Sequence, residues 1–98
     1  MLLFVIDNQT RAISSIAETA EYICSGRCVA LVINEVQPGA AITGAEVSAG
    51  ECKDLNRARV YVADIAKRHG VPIFTDVAKA VDHICDWSST TEIATKQM

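Results

Sequence analysis

No stretch of the 98-residue chain stays apolar for the roughly 18 to 20 residues that a membrane span requires. A bilayer-crossing helix is therefore not expected. Lys and Arg number 9 against 12 Asp and Glu, and they are dispersed rather than gathered into a stripe. The electrostatic term that supplies most nucleic-acid affinity is missing. A net charge of −3 and a pI near 5.2 agree, so neither nucleic acid nor membrane is expected as a partner. No basic segment precedes the opening Met-Leu-Leu-Phe-Val-Ile run, which meets Asp7 and then polar Asn8, Gln9 and Thr10. That run reads as a strand, not a signal peptide, and the expected location is cytoplasmic. The four cysteines, at 24, 28, 52 and 85, form no C-x-x-C pair and read by default as free buried thiols.

What is present is apolar material for a core. Half of the residues belong to the hydrophobic set, 21% are charged, and the mean hydropathy is +0.21. A disordered segment would be poorer in apolar groups. A second core would need roughly another 50 residues, so one domain is expected, over residues 1–87, with a polar, flexible tail over 88–98.

Residues 2–6 (Leu-Leu-Phe-Val-Ile) and 29–33 (Val-Ala-Leu-Val-Ile) are continuously apolar rather than alternating, as in strands covered on both faces. Between them Ile13, Ile16, Ala17, Ala20, Ile23 and Cys24 recur at helical spacing, with Thr10 as N-cap and Gly26 as the left-handed end. Gln37-Pro38-Gly39 reads as a tight turn, and residues 41–47 as a short hairpin or an extended excursion around Gly44. Ser48-Ala49-Gly50-Glu51 matches a capping box that starts a helix near Ala49. Its inward face is read as Leu55, Ala58, Val62, Ile65 and Ala66, with Tyr61 at the margin and an Asp64–Arg68 pair outside. Arg57 and Arg59 read as part of a solvated face. The helix ends at Gly70, and Val71-Pro72-Ile73-Phe74 forms a third strand whose proline suits a strand start or an edge. Thr75 or Asp76 caps a last helix carrying Val77, Ala80, Val81 and Ile84 inward and ending near Trp87.

The fold class is thus α/β: a small two- or three-layer domain, β-α-β-(loop or hairpin)-α-β-α, with a short, mainly parallel sheet. Two strand orders fit. With order 2-1-3 the helices cover both faces; with 3-2-1 they lie on one face, and the bare apolar face calls for a homodimer.

Ligands of open α/β sheets bind at the carboxyl ends of the strands. Here those ends carry Asp7, Asn8, Asn34, Glu35, Thr75 and Asp76, and the long loop adds Ser48; these are the candidate ligand-binding residues. Asp7, Glu35 and Asp76 together would suit magnesium, but no spacing motif for a metal is present. Cys24, Cys28, His83 and Cys85 do not make a zinc pattern, because residues 83 and 85 point in different directions on a helix. No metal and no cofactor is implied. Gly39, Gly44 and Gly50 match neither G-x-G-x-x-G nor a Walker loop. His69, beside Arg68 in a last helical turn, suits the negative end of the helix dipole.

The opening Leu-Leu-Phe-Val-Ile-Asp-Asn resembles the first strand of response-regulator receiver domains, from which the chain departs in having three strands rather than five. Thr43-Gly44-Ala45-Glu46 resembles the glutamate-bearing loop of nucleoside 2-deoxyribosyltransferase-like folds, which would imply a carboxylate nucleophile at Glu46. Two functions follow as expectations. One is a small cytoplasmic ligand-binding or protein-interaction module that forms a homo-oligomer. The alternative is a small hydrolase or transferase acting on a nucleotide- or sugar-like metabolite, with Glu46 or Glu51 as catalytic carboxylate and Asp7 or Asp76 assisting. The enzyme needs those carboxylates in a closed pocket; the module needs an exposed apolar patch.

Overall fold

The computed structural model describes the backbone of all residues but Thr43 and Met98, and side-chain surroundings through Trp87 except at Thr43. The two apolar runs become parallel strands β1 (Leu2–Ile6) and β2 (Val29–Ile33), joined by helix α1 (Ile13–Cys24). A hairpin of β3 (Ala41–Ile42) and β4 (Ala45–Glu46) follows, then α2 (Ala49–Arg68), β5 (Ile73–Phe74) and α3 (Val77–Gln97). The main sheet is parallel with order β1-β2-β5, the 3-2-1 alternative.

Register divides the sheet into two faces. Leu2, Phe4 and Ile6 lie beside Val29, Leu31 and Ile33, with Ile73 next in the row, and this first face meets Ile23 of α1 and Val62 and Ala66 of α2. The second face carries Leu3 beside Ala30, and the row Val5, Val32, Phe74. Contrary to the one-faced packing expected for this order, α3 covers part of that second face. Ala30, Val32 and Ala80 are fully buried, and His83 of α3 sets its ring 5.5 Å from Phe74. The reason is geometric: a helix about 10 Å wide spans about two strands at 4.8 Å spacing, so α3 reaches β5 and β2 and stops short of β1.

Helices α1 and α2 each run into a left-handed glycine, as expected. Gly26 and Gly70 have φ of 80° and 70°. Arg27 N–H donates to Tyr22 C=O at 3.1 Å, and Val71 N–H to Ala66 C=O at 2.9 Å, the wrapped ending that satisfies last-turn carbonyls. Pro72 precedes edge strand β5, where its missing amide proton leaves no gap in the ladder. Ser48 Oγ accepts from Glu51 N–H at 3.1 Å, while the Glu51 carboxylate turns to Arg11 instead of closing the capping box. Asp76 Oδ1, rather than Thr75, caps α3 by accepting from Ala78 N–H at 3.1 Å.

Four local expectations are corrected. Thr10 does not cap α1: its hydroxyl donates to Asp7 Oδ1, which also accepts from Gln9 N–H, and this local turn consumes the hydroxyl before the helix begins at left-handed Ala12. The inward stripe of α1 runs through Ala12, Ile16, Thr19 and Ile23, so Ile13, Ala17 and Cys24 are exposed. Among the described residues Asp64 and Arg68 form no ion pair, the one present being Arg11–Glu51. All four thiols are free, but only Cys52 is buried; Cys24 at the end of α1, Cys28 just before β2 and Cys85 on the outward side of α3 are exposed. Helix α3 also continues past Trp87 to Gln97; the side chains of the expected tail, 88–98, lie outside the described residues.

Beside the sheet core, Val36, Ile42, Val47, Cys52 and Leu55 form a satellite under the β3–β4 hairpin. Gln37-Pro38-Gly39 makes the expected turn, with Ala40 N–H donating to Gln37 C=O at 3.1 Å and Gly39 at φ 77°.

Candidate functional site

Arg59 organises the carboxyl edge of the sheet. It is 2% exposed, and its guanidinium donates to the backbone carbonyls of Asn34 (3.0 Å), Leu55 (3.1 Å), Asp7 (2.6 Å) and Thr10 (3.2 Å). The planar fork of donors suits this role, since it can reach the loops after β1 and β2 and its own helix at once. Burial lowers the guanidinium pKa from its ordinary value, and the nearby Asp7 carboxylate acts against that shift. The sequence reading that placed Arg59 on a solvated face is therefore overturned. A signal was present: Leu55, Arg59, Val62 and Ala66 are spaced 4, 3 and 4, the spacing of one inward stripe.

The candidate ligand-binding residues gather at this edge, and most are bound to one another. Asn8 Nδ2 donates to Glu35 C=O at 3.2 Å, and Asn34 Nδ2 to Thr75 C=O at 3.0 Å. Asp7 is held by Gln9 and Thr10, while Ser48 and Asp76 cap helices. Asn34, Glu35 and Thr75 are brought together with Arg59, Asn56 and Lys67 around an open depression of about 360 Å³. Asp7, Asn8, Ser48, Asp76, Glu46 and Glu51 are not among its lining residues. The side of the depression formed by Val60 and Ala63 is apolar.

Asn56, which the sequence reading passed over, clips the satellite to α2. Its Oδ1 accepts from Val36 N–H at 2.8 Å and its Nδ2 donates to Val36 C=O at 2.9 Å, so one side chain replaces a strand neighbour for Val36. Cys52 Sγ donates to the same carbonyl at 3.3 Å.

The two catalytic candidates stand apart. Glu46 is exposed on the hairpin, and Glu51 is ion-paired with Arg11 on α2's first turn. Among the described residues no group of three His, Cys, Asp or Glu side chains is placed to hold a metal.

The feature that the sequence left open is the uncovered side of β1. Hydrogen bonds at its two ends, Leu2 N–H to Cys28 C=O and Asn34 N–H to Ile6 C=O, fix the parity of the ladder. Leu2, Phe4 and Ile6 turn their amides toward β2, whereas Leu3 and Val5 turn theirs to the open edge. Val5 is 41% exposed, and Val77 and Val81 of α3 are similarly exposed. On α3, Val81 is about 200° around the helix from His83, which faces Phe74, so Val81 is turned away from Phe74.

Comparison with protein-family models, with curated proteins and with solved structures finds no match for this chain.

Proposed function

We propose that this protein is a small homotypic interaction module that pairs with a second copy of itself through β1. The observation that carries the reading is the unguarded edge. Sheet edges are commonly protected by charge, proline or a covering element. The β5 edge is two residues long and follows Pro72, but β1 offers five consecutive uncharged residues with no bulge. Such a strand is its own complement. In an antiparallel pair centred on Phe4, Leu3 stands opposite the partner's Val5, and each exchanges N–H and C=O with the other. Two such residue pairs, related by the two-fold axis, satisfy all the outward amides of Leu3 and Val5. No like charges are brought together, and two three-stranded sheets become one continuous sheet. The reading also places the module in the cytoplasm, where the three exposed free thiols would stay reduced.

The carboxyl-edge carboxylates support an enzyme less well, because none of Glu46, Glu51, Asp7 and Asp76 lines the depression around Arg59, and Glu51 is ion-paired with Arg11. The test is solution mass by light scattering or sedimentation. The wild-type chain is expected at twice its 10.5 kDa mass, and Val5→Lys, which sets charge on the edge, at the monomer mass with an unchanged circular dichroism spectrum. Register is checked by cross-linking with Cys24, Cys28 and Cys85 replaced by Ser. A mixture of Leu3→Cys and Val5→Cys chains should form a mixed disulfide readily, and neither variant alone to the same extent. A monomer at all accessible concentrations overturns the proposal.

A further inference from the structure

At the amino edge of the sheet, remote from the depression around Arg59, the α1–β2 turn, the α2–β5 turn and α3 enclose a cleft of about 470 Å³. Its size falls within the range of small-molecule sites, about 300 to 1,000 Å³. Ile23, Val71 and Trp87 supply apolar wall; Arg27, His69 and His83 supply cationic or ionisable side chains, and among the described residues no carboxylate side chain lines it. Two helices end here, and bare last-turn carbonyls would make the cleft electronegative. Most are not bare. Tyr22, Ile23, Ala66 and Lys67 carbonyls already accept from the amides that follow each helix, which offsets part of that negative end. The polar groups are also held in place: the Arg27 guanidinium lies 5.3 Å from the Tyr22 ring centroid, and His83 packs on Phe74.

We infer that this cleft binds a small anion with a flat apolar body, of the aromatic carboxylate or aryl phosphate class. The ring lies against the Trp87 and Val71 wall, and the acid group meets Arg27 and the two imidazoles. This inference goes beyond the interaction reading and does not rest on it. Trp87 is the chain's single tryptophan, so its emission reports on the cleft directly. Benzoate and phenyl phosphate are titrated against neutral benzamide, with melting temperature as a second readout for the wild type and for Trp87→Phe. A saturable change in Trp87 emission is expected with both anions, at least about tenfold tighter than with benzamide. Arg27→Gln and His69→Gln, both at exposed positions, should each weaken the anions by about tenfold while leaving the fold intact. Equal affinity for benzoate and benzamide, anion binding unchanged in Arg27→Gln and His69→Gln, or no change in emission and melting temperature with either anion, would each overturn the inference.

Discussion

At the carboxyl edge of the sheet one guanidinium answers four backbone carbonyls, whereas along β1 the outward amides of Leu3 and Val5 find no neighbouring strand. The polar edge is largely bonded within itself around one shallow depression, and the apolar edge is open. In many α/β proteins the polar strand ends are the place to look for function. Here Asn8, Asn34, Ser48, Asp76 and Arg59 hold loops and helix ends in place, and the groups left without an internal neighbour are backbone amides between aliphatic side chains. A residue's polarity thus says less about its availability than the number of its bonds already made.

The contrast can be broken by substitution, beginning with Arg59. Arg59→Met keeps much of the buried aliphatic volume but strips four carbonyls of their donor. It should cost about 3 kcal/mol or more in urea unfolding, and Arg59→Lys should recover only part of the loss because an ammonium cannot reproduce the fork. Asn56→Ala comes next. Leaving the N–H of Val36 unpaired, and its C=O with only the weak Cys52 thiol donor, should cost about 2 kcal/mol and should speed amide exchange at Val36 and Val47 before it affects β2. Ser48→Ala removes the cap on α2 and should cost about 1 kcal/mol, read as a lower urea midpoint at unchanged slope. Val5→Lys should sit at the bottom of the stability scale, within about 0.5 kcal/mol for the isolated chain, since Val5 is 41% exposed. Its association should nevertheless be the most damaged of the four. If instead Val5→Lys unfolds the monomer and Arg59→Met does not, the roles assigned to the two edges are reversed.

Much of the fold was legible, and two of the misses share a cause. β1 and β2 follow from uninterrupted aliphatic runs, and Ser48, Gly26 and Gly70 mark helix limits through constraints that act within a few residues. The faces of α1 and α2 were misread because each true inward stripe contains one polar member. Thr19 is fully buried because its hydroxyl donates to Ser15 C=O at 2.6 Å, and Arg59 because its guanidinium has four acceptors. Periodicity alone, with polarity set aside, places both correctly. Strand order was not legible: a right-handed crossover can add a strand on either side, and the choice rests on contacts distant in sequence. The candidate site was half legible, since residue type locates Asn34, Glu35 and Thr75 at one edge but cannot show that most of their neighbours are already engaged.

The hairpin clipped by Asn56 has a consequence for motion. The β3–β4 pair shares no ladder with the main sheet, and its cluster leans on Cys52 and Leu55 in the first turns of α2. Losing the two Asn56 bonds should therefore loosen the hairpin strands ahead of β1, β2 and β5. Faster amide exchange in β3 and β4 than in β2 is the expected sign of a separate cooperative unit on the flank of a steadier frame.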